Sequence, residues 1–174
     1  MSTDVKGTNK VPFIYKGYRL YPIQREHFSE YVVFMSELLA DTASAPVTED
    51  SYEPLFNYYL HKYEEPRNRA FVVCKDGKIV GHFFIIDIFP GKKAFITLLE
   101  LLKEHRNKGI GTGLMNVVET LIFQAKCSSI GLIVEQGNER AIPFYQRLGY
   151  VSESRSEEGH VMFKNLYYKT VRNV

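Results

Sequence analysis

The sequence predicts an α/β protein with a mixed, mostly antiparallel sheet. Three strand-like segments lie between residues 70 and 102 and are separated by tight turns, and a glycine-rich loop, a helix and another strand follow them. A meander of this kind forms antiparallel pairs, whereas a strand-helix-strand unit forms a parallel pair. Both kinds of pairing are therefore expected in one sheet, with helices packed against it.

The N-terminal third is predicted to form one strand and two helices. Residues 17–22 have a strand-like pattern, and apolar residues from Phe28 to Leu39 then recur at helical spacing. Thr48 to Ser51 supplies cap-type residues for a second helix, which should end before Pro66. Residues 1–12 are polar, so we expect a flexible tail ahead of a single domain that spans residues 13–174.

The central meander is predicted from its turns. The pair Asp76-Gly77 favours a two-residue hairpin between strands at 70–74 and 78–87. A second turn at 89–92 leads to a third strand at 94–102. Three antiparallel strands should therefore precede the glycine-rich loop.

The C-terminal third is predicted to alternate helices and strands. A helix with one apolar face follows the loop, and a strand follows at 130–135. Asn138 is placed to cap the next helix, which Gly149 should terminate. A hairpin with strands at 151–154 and 160–168 ends the domain.

The loop between the third strand and its helix carries the first functional signal. Glycines at such a position let backbone N–H groups face a ligand, and the helix dipole adds positive charge there. Basic side chains flank the turn, so a pyrophosphate-bearing cofactor fits best. The loop residues are Arg106, Asn107, Lys108, Gly109, Ile110, Gly111, Thr112 and Gly113.

Spacing separates this loop from two other phosphate-binding patterns. A Walker A loop needs Gly-x-x-x-x-Gly-Lys-Ser/Thr, which the chain lacks. A dinucleotide fingerprint needs a third glycine where Leu114 stands. Glu135 nevertheless lies close to where a ribose-binding acid would sit, so an NAD-dependent oxidoreductase is kept as a remote alternative.

Two blocks together carry a family resemblance. The first is Arg106-x-x-Gly109-x-Gly111, and the second is Asn138-x-x-Ala141-x-x-Phe144-Tyr145-x-x-x-Gly149-Tyr150, one helix and one strand later. With this order, the chain resembles the GCN5-related N-acetyltransferase (GNAT) superfamily over roughly residues 70 to 168. The resemblance implies transfer of the acetyl group of acetyl-CoA to a primary amine, by direct attack in a ternary complex. It also implies that the central strands splay apart around the cofactor, and it allows a homodimer.

The resemblance assigns roles to particular positions. Free backbone N–H groups that bind the acetyl carbonyl and the pantetheine arm are expected at Leu101 and Lys103, with Leu102 between them. Tyr145 occupies the place of the residue that protonates the departing thiolate. The implied cofactor-binding set is Leu101, Leu102, Lys103, the loop residues 106–113, Asn138, Ala141, Phe144 and Tyr145.

The general base is less clear. Family members use a carboxylate at positions that here hold Ile133 and Phe95. Glu100 lies near the expected splay, and partial desolvation would raise the pKa of such a carboxyl toward neutrality. His82 and Glu135 are alternatives, and an amine that arrives neutral needs no base. Because the positions of Ile133 and Phe95 hold no carboxylate, a non-catalytic acyl-CoA-binding or sensing module of the same fold is the alternative.

The acceptor is expected to be an amine of unspecified kind. In the family, the first two helices and the last hairpin enclose the acceptor cleft, so three tyrosines and two glutamates are candidates to line it: Tyr52, Tyr59, Tyr63, Glu157 and Glu158. Aromatic rings and carboxylates suit a small cationic amine. A peptide or protein amine is the alternative.

Composition excludes several other partners. A formal net charge of +2 does not indicate a nucleic-acid-binding protein. Cys74 and Cys127 form no C-x-x-C motif, and the histidines have no ligand spacing, so no metal is expected. The sequence has no apolar run typical of a signal peptide or a membrane span, and we expect a cytoplasmic protein.

Overall fold

The computed structural model describes residues 14–40, 47–155 and 157–166. The predicted tail at 1–12 and the predicted end of the last strand at 167–168 lie outside these ranges. The strands are β1 (Ile14–Tyr15), β2 (Tyr18–Pro22), β3 (Arg69–Lys75), β4 (Lys78–Ile86), β5 (Lys93–Leu101), β6 (Ser129–Glu135), β7 (Val151–Arg155) and β8 (Gly159–Asn165). The helices are α1 (Phe28–Leu38), α2 (Glu49–Glu64), α3 (Ile110–Gln124) and α4 (Ile142–Arg147).

The strands form one eight-stranded sheet in the order β1-β2-β3-β4-β5-β6-β8-β7. Every neighbouring pair is antiparallel except β5 and β6, which are parallel. Asp76 and Gly77 both have positive φ, of 49° and 81°, as a two-residue hairpin turn that follows the sheet's twist requires. The predicted mixed, mostly antiparallel sheet is confirmed.

The parallel pair β5–β6 separates halfway along. Pairing runs from Lys93 opposite Ser129 to Ile96 opposite Leu132. At that point β5 carries a bulge, because Thr97 is an extra residue between the partners of Phe84 and Ile85 on β4. Beyond the bulge, β5 stays paired with β4 and β6 with β8. The predicted splay between the central strands is therefore present.

The N-terminal third contains one more strand than the sequence predicted. Lys16 and Gly17 have positive φ, of 50° and 79°, and turn β1 back onto β2. The second helix begins as predicted, with a capping box in which Thr48 and Ser51 bond to each other's backbone. It ends at Glu64, ahead of Pro66.

The start of α4 differs from the sequence prediction. A short 3-10 turn, Glu139–Ala141, comes between Asn138 and the helix. The carbonyl of Asn138 accepts from the N–H of Ala141 at 2.8 Å, but its side chain makes no capping hydrogen bond. The prediction that Asn138 caps the helix was wrong, because the extra turn moves the helix start away from its side chain.

The end of α4 follows the sequence prediction. Gly149 has φ 88°, a conformation that favours glycine. The Gly149 N–H donates to the Gln146 carbonyl at 2.9 Å, and the Tyr150 N–H donates to the Tyr145 carbonyl at 3.0 Å. These two bonds form a Schellman motif, which ends the helix and turns the chain into β7.

The helices complete a single core. α1 and α2 cover the face of β4 that carries His82 and Phe84, through ring contacts with Tyr31, Tyr59 and Tyr63. The predicted apolar face of α3 is largely buried. Within the described ranges, no helix is both long and apolar enough to span a membrane.

Candidate active site

The glycine-rich loop presents unpaired backbone donors. Gly109 has φ 77° and stands at the N-cap of α3 without a side-chain cap. The first intrahelical bond runs from the Gly113 N–H to the Gly109 carbonyl, at 3.1 Å. The N–H groups of Ile110, Gly111 and Thr112 therefore have no partner within the helix. They lie at the positive end of the helix dipole, where an anion is stabilised.

A cation from a distant part of the chain joins the loop. The Lys16 ammonium donates to the Lys108 carbonyl at 3.3 Å, although the two residues are 92 positions apart. Sequence reasoning missed Lys16, because its hairpin carries no phosphate-binding motif. Together with Lys108, it places positive charge beside the free N–H groups, which suits a diphosphate.

Arg106 ties the loop to the end of β5. Its Nε donates to the Leu101 carbonyl at 2.7 Å, so the guanidinium stem folds back over the strand. The sequence predicted this residue only as a phosphate partner. The structure adds a second role, because the Arg106 charge also acts on the nearby Glu100 carboxyl.

Two loop glycines are needed for close packing. A Cβ on Gly111 would lie 3.3 Å from the Phe144 ring, so α4 packs directly against the start of α3. A Cβ on Gly113 would lie 2.7 Å from the Tyr15 ring. The Gly113 N–H is also used within α3. Gly113 was predicted to bind cofactor, and the structure shows that it packs closely against Tyr15.

One backbone donor at the end of β5 faces the splay. The Leu102 N–H donates to the Val80 carbonyl at 2.9 Å, which leaves Leu102 without the free N–H that a cofactor contact would use. Because N–H directions alternate along a strand, the Leu101 N–H points to the other edge, where β6 no longer pairs. Lys103 then begins a short 3-10 turn, Lys103–His105.

Glu100 is held by a buried histidine. The Glu100 carboxylate lies 2.7 Å from Nε2 of His82, and Nδ1 of the same ring lies 2.7 Å from the Tyr31 hydroxyl. Burial alone raises the pKa of Glu100, but the hydrogen bond and charge of His82, with the charge of Arg106, bring it below its ordinary value. The prediction of a raised pKa was wrong, since the sequence did not reveal these partners.

The predicted tyrosines of α2 lie close to this carboxylate. Burial raises the pKa of Tyr52 to about 12 and raises that of Tyr59, and the negative charge of Glu100 contributes to both shifts. The Tyr63 hydroxyl lies 3.3 Å from Oγ1 of Thr97, the bulge residue. The α2 tyrosines therefore form a half-buried wall beside the splay.

A cleft of about 610 Å³ opens at the splay. It has apolar walls and carboxylates from two different segments. Of the acidic pair predicted to line an acceptor cleft, Glu158 does so. Ile133 and Phe95, which replace the family's usual carboxylates, lie in its wall. The lining residues are Ile86, Phe95, Ile96, Thr97, Ile133, Glu135, Gln136 and Glu158.

Tyr145 lies on α4, which follows β6 in the chain. Its ring packs edge-on against Phe144 and Tyr150, with centroids 5.0 and 5.8 Å apart. Burial raises its pKa to about 12, so the hydroxyl stays protonated at neutral pH. Ala141 is half-buried near the same helix, whereas Asn138 is exposed.

The donor set fits coenzyme A. Free N–H groups and lysines suit its phosphates, and the unpaired edge of β5 suits the amide groups of its pantetheine arm. In the part of the chain that the structure describes, no group of three His, Cys, Asp or Glu residues could hold a metal ion.

Known proteins share this architecture. The family described as Acetyltransferase (GNAT) matches residues 32–150. N-alpha-acetyltransferase 30 of Schizosaccharomyces pombe is 26% identical over 129 residues, covering 72% of this chain and 81% of the relative. The protein of the same name from Xenopus laevis is 26% identical over 132 residues, and there the match covers only 47% of the relative.

A solved structure agrees with these matches. The PaiA N-acetyltransferase of Thermoplasma acidophilum, in complex with coenzyme A, aligns with a TM-score of 0.69 and 18% identity, over 86% of this chain and 99% of that one. At this identity the alignment shows a shared fold. Together with the family match over most of the chain, it leads to one conclusion: this chain belongs to the GNAT acetyltransferase family.

Proposed function

We propose that the protein is an N-acetyltransferase that moves the acetyl group of acetyl-CoA to a primary amine by direct attack in a ternary complex. One observation carries the proposal. The splay between β5 and β6 has the glycine-rich loop at one end and an ionised carboxylate, Glu100, beside it. A thioester and an amine can therefore meet between a set of anion-binding donors and a proton acceptor.

The cofactor is proposed to lie along the splay. Its diphosphate binds the N–H groups of Ile110, Gly111 and Thr112, with Lys108 and Lys16 supplying charge. The pantetheine arm is proposed to pair with Leu101 at the end of β5 and with Lys103 in the turn that follows. The remaining proposed contacts are Arg106, Asn107, Gly109, Ala141, Phe144 and Tyr145.

The proposed reaction balances with two side chains. The neutral amine forms a bond to the thioester carbon while the C=O pair moves to oxygen, where the Leu101 N–H donates. The carbonyl then re-forms, the C–S bond breaks and its electron pair stays on sulfur. Glu100 takes the proton from nitrogen, and Tyr145 gives one to the thiolate. Exchange with water restores both side chains.

The lowered pKa of Glu100 agrees with this role. An ionised carboxylate attracts the ammonium form of the acceptor, which loses its first proton to water. Nitrogen becomes positively charged as it bonds to carbon, so its remaining proton is acidic enough for a weak base to remove.

The proposed acceptor is a positively charged amine. Glu135 and Glu158 line the cleft, and the α2 tyrosines offer ring faces that attract cations. A small cationic amine uses all of these groups. The names of the N-alpha-acetyltransferase relatives support a peptide N-terminus instead. An acceptor panel must therefore contain both classes.

The second candidate function is an acyl-CoA-binding or sensing module without turnover. The observation that favours it is the presence of Phe95 and Ile133 in the cleft wall, where family members carry a base. This candidate predicts cofactor binding that no amine converts into thiol release.

The test combines two measurements on the wild-type protein. Thermal shift with coenzyme A reports binding, and thiol release from acetyl-CoA is followed with polyamines, aminoglycosides, amino acids and short peptides. Binding with acceptor-dependent release supports the transferase and identifies the acceptor class. Binding without release favours the sensing module, and absence of both contradicts the cofactor assignment.

A matched pair of variants checks the loop. Gly111→Glu places bulk against Phe144 and negative charge at the proposed diphosphate site, and we expect it to abolish the coenzyme A shift. Thr120→Glu adds the same charge at an exposed position of α3 away from the loop, and should keep the shift. Equal shifts in the two variants would contradict the proposed phosphate site.

A further inference from the structure

We infer that Tyr31 and His82 are positioning residues for acetyl transfer, because they hold the Glu100 carboxylate in one orientation through a buried chain of two hydrogen bonds. This inference rests on the proposed function, in which Glu100 accepts a proton from the acceptor amine. Under this inference, two core residues affect the rate of transfer through Glu100, without contacting the cofactor or the acceptor themselves.

The chain of contacts is short and joins three elements. His82 on β4 stands directly opposite Glu100 on β5 in the sheet register, and its Nε2 lies 2.7 Å from the carboxylate. Tyr31 on α1 reaches the other ring nitrogen, also at 2.7 Å. Both polar positions of the ring are therefore bonded, and neither the helix nor the strands can shift without breaking a bond.

Burial makes this arrangement costly unless every partner is present. The His82 side chain is 1% exposed, whereas that of Glu100 is 41% exposed. Aromatic rings surround the imidazole, with centroids 5.7 Å away for Tyr31, 5.1 Å for Phe34 and 4.9 Å for Phe84. A buried polar ring in such surroundings is stabilised only by its hydrogen bonds, which the low dielectric strengthens.

The chemistry of Glu100 fixes the direction of one of the two hydrogen bonds. An ionised carboxylate only accepts, so Nε2–H of His82 donates to Glu100. Nδ1 of the same ring shares a hydrogen bond with the Tyr31 hydroxyl at 2.7 Å. Burial raises the pKa of Tyr31 well above its ordinary value, so the hydroxyl stays protonated. The two hydrogen bonds link a buried hydroxyl to a partly exposed carboxylate.

His82 is one of two cationic or hydrogen-bonding groups that lower the pKa of Glu100. The other is Arg106, from the loop after β5. Tyr31 on α1, and Tyr52 and Tyr59 on α2, also interact electrostatically with this carboxylate. Removing the imidazole therefore leaves burial opposed by Arg106 alone, and the pKa of Glu100 should rise.

The experiment uses three variants and wild type. His82→Phe removes both hydrogen bonds and keeps an aromatic ring, and Tyr31→Phe removes one hydroxyl only. Tyr18→Phe is the control, because the Tyr18 hydroxyl also bonds to a histidine Nδ1, that of His105, at 2.9 Å. Thermal shift with coenzyme A shows that each variant folds and binds cofactor.

The expected results distinguish a positioning role of His82 and Tyr31 from a role in packing alone. His82→Phe should lower kcat about tenfold or more, with KM for acetyl-CoA nearly unchanged, because a hydrogen bond to a charged group is lost. The acidic limb of its kcat profile should move to higher pH. Tyr31→Phe should show a smaller effect in the same direction, and Tyr18→Phe should behave as wild type.

Two further measurements keep the outcome decisive. Carbon-13 NMR of the glutamate carboxyls, assigned with Glu100→Gln, follows the Glu100 titration even without a known acceptor, and its midpoint should rise in His82→Phe. In the Glu100→Gln background, His82→Phe should cause no additional loss of kcat. An unchanged midpoint, or a loss of thermal stability with kcat and pH profile unaltered, would overturn the inference. Should His82→Phe not fold, Tyr31→Phe carries the same readouts.

Failure of the proposed function looks different. Wild-type protein that binds coenzyme A but acetylates no amine contradicts the transferase, while the Glu100 midpoint still reports on the imidazole. Wild-type turnover that Glu100→Gln leaves intact shows that the transferase is correct and that the positioning inference is wrong.

Discussion

Among the described residues, the tyrosine–histidine hydrogen bonds Tyr31–His82 and Tyr18–His105 each lie beside a glutamate, and the two sets differ in burial. In Tyr31–His82–Glu100, both distances are 2.7 Å and the histidine is 1% exposed. In the second set, the Tyr18 hydroxyl lies 2.9 Å from His105, but the His105–Glu104 distance is 3.8 Å, with Glu104 62% exposed. The residue types are the same, and their surroundings differ.

The difference shows what the fold adds to side-chain chemistry. His105 and Glu104 are neighbours in one exposed turn, where water screens their interaction. His82 and Glu100 come from opposite positions on two strands, and Tyr31 comes from a helix packed above them. In the first set, the low dielectric and the fixed geometry allow His82 to change the pKa of the Glu100 carboxyl. The following experiments test this contrast.

Replacing Glu100 and Glu104 one at a time should give the largest difference in kcat between the two sets. Glu100→Gln removes the proposed proton acceptor and keeps the hydrogen-bonding shape, so kcat should fall about a hundredfold, as for loss of a general base. Glu104→Gln should leave kcat unchanged. Steady-state kinetics with a saturating acceptor measure both. Equal rates for the two variants would remove Glu100 from the mechanism.

Tyr145 belongs to neither set, so its replacement provides a comparison for the tyrosine variants. Within the described residues its hydroxyl has no hydrogen-bond partner, so Tyr145→Phe should cost little folding stability. Loss of the proton donor should nevertheless lower kcat by about ten- to a hundredfold. A coenzyme A titration should give an unchanged affinity. Wild-type turnover in this variant would contradict the proposed acid role.

Removing one hydroxyl from each set compares their contributions to folding. Tyr31→Phe leaves Nδ1 of a buried histidine without its partner and should lower the free energy of unfolding by about 1–3 kcal/mol. Tyr18→Phe affects a partly exposed pair and should cost about 0.5–1 kcal/mol. Urea denaturation measures both. A larger loss for Tyr18→Phe would reverse the assignment of which set is structurally important.

The pH dependence of stability should show the smallest effect. The pKa of Glu100 is lowered in the folded protein, so its ionised form stabilises the fold above the unfolded-state pKa, which is about 4.3. This contribution is lost as pH falls through the folded-state pKa. The stability difference between wild type and Glu100→Gln should therefore be constant above about pH 5 and shrink below it. A difference that grows on acidification would contradict the lowered pKa.

Local features were predictable because few consecutive residues determine them. The Asp76-Gly77 hairpin, the Thr48–Ser51 cap and the Gly149 helix end all appear as predicted. Asn138 failed as a cap because a single inserted turn, which its own neighbours do not specify, moved the helix start. Short-range rules succeed where the backbone has one favourable local solution.

Long-range features were not predictable from the pattern. Lys16 reaches the glycine-rich loop across 92 residues, and Tyr31 reaches His82 across 51. Glu100 was predicted as a candidate base because it is near the expected splay, but the predicted direction of its pKa shift was wrong, because His82 on the neighbouring strand lowers the pKa. Helical spacing placed Tyr31 on the apolar face of the first helix, but the sequence did not indicate that its hydroxyl bonds to His82.

The sequence by itself determined the order of the main helices and strands from β2 onward, the glycine-rich loop and the family to which the chain belongs, because these depend on local backbone preference and motif spacing. Tertiary structure alone decided which backbone N–H groups remain free and whether the pKa of Glu100 is raised or lowered. The Leu102 N–H is used by Val80, and the imidazole of His82 reaches the carboxylate. Hydrogen bonding and desolvation depend on distances in space, and only strand register and helix packing set those distances.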